Sequence, residues 1–154
     1  MSPARGRFAL RVRAPPRRTS SVVSVNEQVQ GTVPAGGPRV LLVDDLRHFR
    51  APRGEVVART SEQAIVILTR AHEAGLGWSQ VWLDHDLGEA TGSSDTVGPV
   101  VDWVLDRARD LDRVAVETFY VHTSDEQAGA AVVAKLQGAG YAVRRVPAQP
   151  FLLR

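Results

Sequence analysis

The chain has 154 residues, 44% of them hydrophobic and 23% charged, a balance suited to one globular domain with a real core. It has no cysteine, which excludes disulfides, thiolate metal sites and cysteine nucleophiles. No apolar run approaches the roughly 20 residues that span a bilayer, and the basic N-terminus lacks the apolar segment of a secretory signal, so a cytoplasmic chain with no membrane partner is expected. The charge is uneven: residues 1–38 carry six arginines against Glu27, a net of +5, and the remainder carries a net of −3.

With Pro15-Pro16, Ser20-Ser21 and Pro34 to Pro38, residues 1–38 read as a disordered basic tail and linker, and 39–154 as the folded domain. Arg39 to Val43 is a short apolar run, fit for a buried parallel strand that ends at Asp44-Asp45. Leu46 to Gly54 is too short and broken for a long helix, and Glu55 to Arg59 reads as a second strand. Thr60 and Gln63 form a capping box for a helix that Gly75 stops. Gln80 to Leu83 is a third strand, followed by Asp84-His85-Asp86 and a polar loop. Asp95 is placed to cap a second helix, whose inward face is Val97, Val100, Val101, Val104 and Leu105. Val114 to Val121 is a fourth strand. Ser124 and Gln127 form a second capping-box pattern, opening a helix to Gly138, and Tyr141 to Val146 is a fifth strand.

Strands alternating with helices predict an α/β fold with a doubly wound, five-stranded parallel sheet. Ligands in such sheets lie beyond the carboxyl ends of the strands. Asp44, Asp45, Asp84, Asp86, His122, Thr123 and Ser124 all follow strand ends. Neighbouring strands lie about 4.8 Å apart, so clustered carboxylates there repel one another unless protonated or bridged by a cation. Oxygen ligands favour Mg²⁺, which makes Asp44, Asp45, Asp84 and Asp86 the candidate metal ligands. His122 and His85 are candidates for moving protons at a phosphodiester. Thr123 offers a hydroxyl, Ser124 opens a helix whose free N–H groups suit phosphate, and Arg47 can grip phosphate with two prongs. No glycine-rich phosphate loop is present. A phosphate-containing small molecule or an RNA end is the expected partner.

Asp-Asp after strand one, Asp after strand three and Thr-Ser after strand four resemble the response-regulator receiver fold. That resemblance implies strand order 2-1-3-4-5, Asp44 and Asp45 holding metal, Asp84 accepting a phosphoryl group and Thr123 sensing it. Three features depart from receivers: a shortened first crossover containing Pro52, Arg145-Val146-Pro147 where receivers have Lys before Pro, and histidines at the third and fourth strand ends. A narrower family accommodates them. Val43 to Arg47, Leu83 to Gly88, Asp95 with Val101 to Trp103, and Val121 to Ser124 are together similar to the cyclic-phosphate-processing receiver-like domain, over about residues 39–147. This resemblance implies a phosphoesterase acting on a 2′,3′-cyclic phosphate RNA end or a cyclic nucleotide, with His122, His85 and Asp84 as catalytic groups. A signalling module phosphorylated on Asp84, or a degenerate domain that only binds partners, are the alternative readings.

Overall fold

The computed structural model describes residues 39–149 and 151–154; the tail assigned to residues 1–38 lies outside the described residues. The elements run β1 (Val40–Val43), β2 (His48–Phe49), β3 (Val56–Ala58), α1 (Ser61–Glu73), β4 (Trp78–Leu83), α2 (Gly98–Arg109), β5 (Val116–Val121), α3 (Glu126–Gly138), β6 (Val143–Arg145) and β7 (Leu152–Leu153). Five strands pair in parallel in the order β3-β1-β4-β5-β6. Counting only those five strands, this is the expected 2-1-3-4-5. Among the described residues, no helix is long and apolar enough to cross a membrane.

The direction of winding decides what covers each face. From β3 onward, every crossover advances the same way across the sheet, and right-handed connections put all three helices on one side. Accordingly Ala64, Ile67 and Leu68 of α1, Val100, Val101 and Val104 of α2, and Val132 and Leu136 of α3 share one core with Leu41, Val43, Val81, Leu83, Phe119 and Val121. The β1-to-β3 crossover runs the opposite way and so lies on the other face. It contains no helix. Its two-residue strand β2 pairs antiparallel with β7, His48 opposite Leu153 and Phe49 opposite Leu152. This ribbon carries Phe49 and Leu152 into a second core with Val40, Leu42 and Trp82. Among the described residues, the second layer of the sheet is therefore a ribbon rather than helices.

The helix termini show which local patterns hold. Thr60 Oγ1 accepts from Gln63 N at 3.1 Å, and Gln63 Oε1 accepts from Arg59 N at 2.8 Å, a capping box that reaches one residue further back than usual. Two other expectations are corrected. Asp95 does not cap α2, whose N-cap Val97 makes no side-chain cap bond. Instead Asp95 accepts from Ser61 N at 2.9 Å and Ser61 Oγ at 2.6 Å, fastening the loop before α2 to the start of α1. Ser124 does not open α3: the next residue, Asp125, is the N-cap and accepts from Ala128 N at 2.8 Å. Asp and Ser both cap well, but the helices start past these two residues, with Val97 and Asp125 as N-caps.

Candidate functional site

β1, β4 and β5 lie side by side, and each continues into a polar residue at its carboxyl end. Asp84 N donates to Val43 O, and His122 N donates to Leu83 O at 3.0 Å, so the three ends stay in register past the strands. Side chains alternate along a strand. Asp44, Asp84 and His122 continue the rows of Leu42, Trp82 and Tyr120, on the side of the second core. Asp44 is 0% exposed, Asp84 6% and His122 1%. One ligand-capable atom of each lies within 4.8 Å of the others.

Arg47 ties the two carboxylates together. Its Nη1 donates to Asp44 Oδ2 at 3.3 Å and also to Asp84 Oδ2. The loop that carries it is folded around Asp44, whose Oδ1 accepts from Leu46 N at 2.9 Å and Arg47 N at 2.6 Å. From β3, Arg59 Nη1 donates to Asp44 O at 2.8 Å and Arg47 O at 2.7 Å. Arg59 was not singled out from the sequence. Its signal is topological: it directly follows β3, the strand next to β1, at the same edge of the sheet.

The electrostatics follow from burial. Loss of water, and next the neighbouring Asp44, push the Asp84 carboxyl from 3.8 up to about 6, although Arg47 and the His85 N–H pull against this. Burial also pushes the His122 imidazole below its usual 6.5, against the attraction of Asp44. Neither His122 ring nitrogen has a hydrogen-bond partner, and Nδ1 stands 3.8 Å from Asp44 Oδ2, too far for a hydrogen bond. On Arg47, burial works against the charge, but Asp44 and Asp84 outweigh it and raise its pKa.

The remaining expected residues fall around this cluster. Asp45 is buried, but its Oδ2 accepts from Ala90 N at 2.7 Å, which anchors the loop after β4. Asp86 is exposed, in an isolated bridge to Thr96. Neither joins the ligand-capable group, which brings Asp44 and Asp84 together with His122. His85 gives its backbone N–H to Asp84 Oδ1 at 2.8 Å and its carbonyl to Val97 N, while its ring lies outside that group. Thr123 is half-buried, its Oγ1 accepting from Asp125 N at 3.2 Å; Ser124 is exposed. Thr123 and Arg145 both crowd Gly129 of α3, where a Cβ would come within 2.8 Å of Thr123 Cγ2 and 3.2 Å of Arg145 Nε.

Two carboxylates, one guanidinium and one unpartnered imidazole thus form a buried cluster at adjoining strand ends, and Asp44, Asp84 and His122 lie close enough together to hold a metal ion. A family model described as the cyclic-phosphate processing receiver domain matches residues 39–138, more than half of the chain. No curated protein and no solved structure matches the chain.

Proposed function

The chain belongs to the cyclic-phosphate processing receiver domain family, and from that membership we propose that its pocket opens a cyclic phosphate ester, either a 2′,3′-cyclic phosphate at an RNA end or a cyclic nucleotide. The observation that supports this most is the buried Asp44–Arg47–Asp84 bridge with an unpartnered His122 beside it. Burying like charges and an unsatisfied imidazole costs stability, and proteins keep such arrangements mainly where chemistry needs them.

Arg47 is the group that meets the phosphate. A guanidinium already shared between two carboxylates is held in place, and a phosphate oxygen can take one of its donors. The Thr123 hydroxyl is the second phosphate contact. Ring opening adds water to phosphorus and breaks one ester P–O bond. The proton leaving the water ends on the departing ribose oxygen. In the ion-free pocket, Asp84 and His122 carry that proton, and Asp84 is the better matched, because its carboxyl titrates at about 6. His85 acts by positioning Asp84 through its backbone N–H.

Mg²⁺, which receiver-like chemistry implies, is a poor match to this donor set. It takes oxygen ligands, several of them waters, whereas the third group gathered beside the two carboxylates is the His122 imidazole. The test is incubation of the full-length chain with 2′,3′-cyclic AMP, followed by phosphorus-31 NMR. Conversion to an AMP monoester is expected, and its loss in Asp84→Asn. A folded chain that leaves the cyclic ester intact overturns the proposal.

A further inference from the structure

His122 is the group whose placement proton transfer explains least. Its side chain is fully buried, neither ring nitrogen is hydrogen-bonded, and it is aimed at two carboxylates. A buried imidazole ordinarily finds a carbonyl, a carboxylate or a water for at least one nitrogen. What this ring does have, within 4.8 Å, is one oxygen from each of Asp44 and Asp84. Two carboxylates and one imidazole, gathered from three adjacent strand ends, have the composition of a transition-ion site.

Two further observations set which ion suits the pocket. Asp45, from which a receiver-type Mg²⁺ site would take an oxygen, holds Ala90 N through its Oδ2 at 2.7 Å and lies outside the group that Asp44, Asp84 and His122 form. And the point between Asp44 Oδ2 and Asp84 Oδ2 already holds a positive group, the Arg47 Nη1. A cation belongs there, and one is supplied by the chain itself.

We infer that this cluster takes a later first-row divalent ion such as Co²⁺ in preference to Mg²⁺, with Asp44, Asp84 and His122 as its ligands and Arg47 as the cation that fills the same place in its absence. Nitrogen ligation discriminates in this direction: imidazole binds later first-row ions well, whereas Mg²⁺ gives up its water oxygens reluctantly. Seating the ion displaces Arg47 from the carboxylates and releases its guanidinium toward a bound phosphate. Asp84 and His122 then serve as ligands rather than proton carriers. The inference concerns the same pocket as the proposed reaction but does not rest on turnover.

The test uses the full-length chain stripped of metal, titrated calorimetrically with Co²⁺ and separately with Mg²⁺, with proton NMR of the Co²⁺ form. The expected result is Co²⁺ binding at least tenfold tighter than Mg²⁺, with the His122 ring resonance shifted outside the diamagnetic range. H122L should lower Co²⁺ affinity at least tenfold and leave Mg²⁺ affinity unchanged, which separates this site from the exposed His72–Asp112 pair. Equal affinities for the two ions, or a Co²⁺ affinity unmoved by H122L, overturn the inference. If H122L does not fold, the wild-type spectrum decides. His122 is identified by its nearness to the Trp82 ring, 6.0 Å between centroids, and an unshifted His122 signal overturns the inference. Selective Co²⁺ binding without turnover upholds this inference and defeats the proposed reaction; turnover without ion selectivity does the reverse.

Discussion

Asp44 and His122 face each other across the ends of two strands, with Oδ2 and Nδ1 3.8 Å apart and both side chains 0% exposed. They are close enough to feel each other's charge and too far apart for a hydrogen bond. A fold optimised for stability would close that gap or replace the imidazole with an apolar side chain. The arrangement is a store of unfavourable energy at one end of the sheet, and it makes the protein's pH behaviour predictable.

The Asp84 carboxyl titrates at about 6 in the fold against 3.8 in the ordinary state, so the folded protein holds that proton more tightly than the unfolded chain. As pH falls from about 6 to 4, this group adds stability; as pH rises, the gain is lost. His122 does the opposite. Its folded pKa lies below 6.5, so its favourable share is complete above 6.5 and is lost as pH falls. The two slopes oppose each other in the wild type, and each should appear alone in the other's variant. Asp84→Asn should melt higher than wild type at pH 7.5, by about 1–2 kcal/mol once screening by nearby water is allowed for, with the difference vanishing near pH 4. His122→Leu should gain steadily relative to wild type as pH falls below 6.5, most at the acid end of the range near pH 4. Thermal melts from pH 4 to 8 check both. An Asp84→Asn advantage that grows on acidification would refute the assignment.

Arg47 is the counter-charge for both carboxylates, and its side chain is only 17% exposed. Removing one partner of a buried pair leaves the other charge uncompensated, which costs several kcal/mol for full burial. With two carboxylates left and some access to water, Arg47→Ala should lose about 2–3 kcal/mol at pH 7.5 and much less at pH 5, where Asp84 is largely protonated. Arg47→Lys should recover part of the loss, since an ammonium restores charge but not the forked geometry. Urea midpoints at the two pH values provide the measurement.

Much of the site could be read from the sequence because it depends on local signals. Apolar runs that stop at Asp44, Asp84 and His122 mark strand ends, and parallel strands bring their carboxyl ends together. What the sequence hid depends on contacts between distant residues. Nothing near His48-Phe49 announces a strand, since its partner is Leu152-Leu153, about a hundred residues away. The Asp95–Ser61 contact is equally non-local. The fates of Asp45 and Asp86 were open to inference. Each neighbours a site residue or lies two beyond it, where the chain has left the strand and alternation no longer keeps side chains together.

Gly88 carries a constraint that motif reading passes over. It is buried, and its carbonyl accepts from both Thr91 N and Ser93 N in a tight turn. A Cβ there would overlap the Ser93 carbonyl, which is backbone and cannot swing aside. Gly88→Ala must open the turn that presents Ala90 N to Asp45 and places Asp95 against Ser61. The expected cost is about 2–4 kcal/mol, from overpacking together with lost capping bonds. Gly92→Ala is the control: no atom lies within 4 Å of its added Cβ, so only its positive φ of 68° is strained, and it should cost about 1 kcal/mol. Equal losses in the two variants would contradict this reading of the turn.

The C-terminal strand makes the last prediction, because it lies beyond the residues that the family model covers, 39–138. Leu152 is 2% exposed and packs with Phe49, Trp82, Val40 and Leu42 on the face opposite α1, α2 and α3. Trp82 relies on the same ribbon, meeting Phe49 edge-on at 5.2 Å and Phe151 at 5.6 Å. It also stacks on Tyr120 at 4.5 Å and lies two residues before Asp84 in β4. Loosening the ribbon should therefore disturb the site as well as the core. Leu152→Ala is expected to cost about 2–4 kcal/mol and to red-shift tryptophan emission as water reaches Trp82. Deleting residues 150–154 should cost more and weaken the hold on Asp84, lowering its apparent pKa toward 3.8 as burial is lost. Carbon-13 NMR titration of the Asp84 carboxyl in the truncated chain measures that directly. An Asp84 titration unchanged at about 6 would show that the ribbon supports the core but not the pocket.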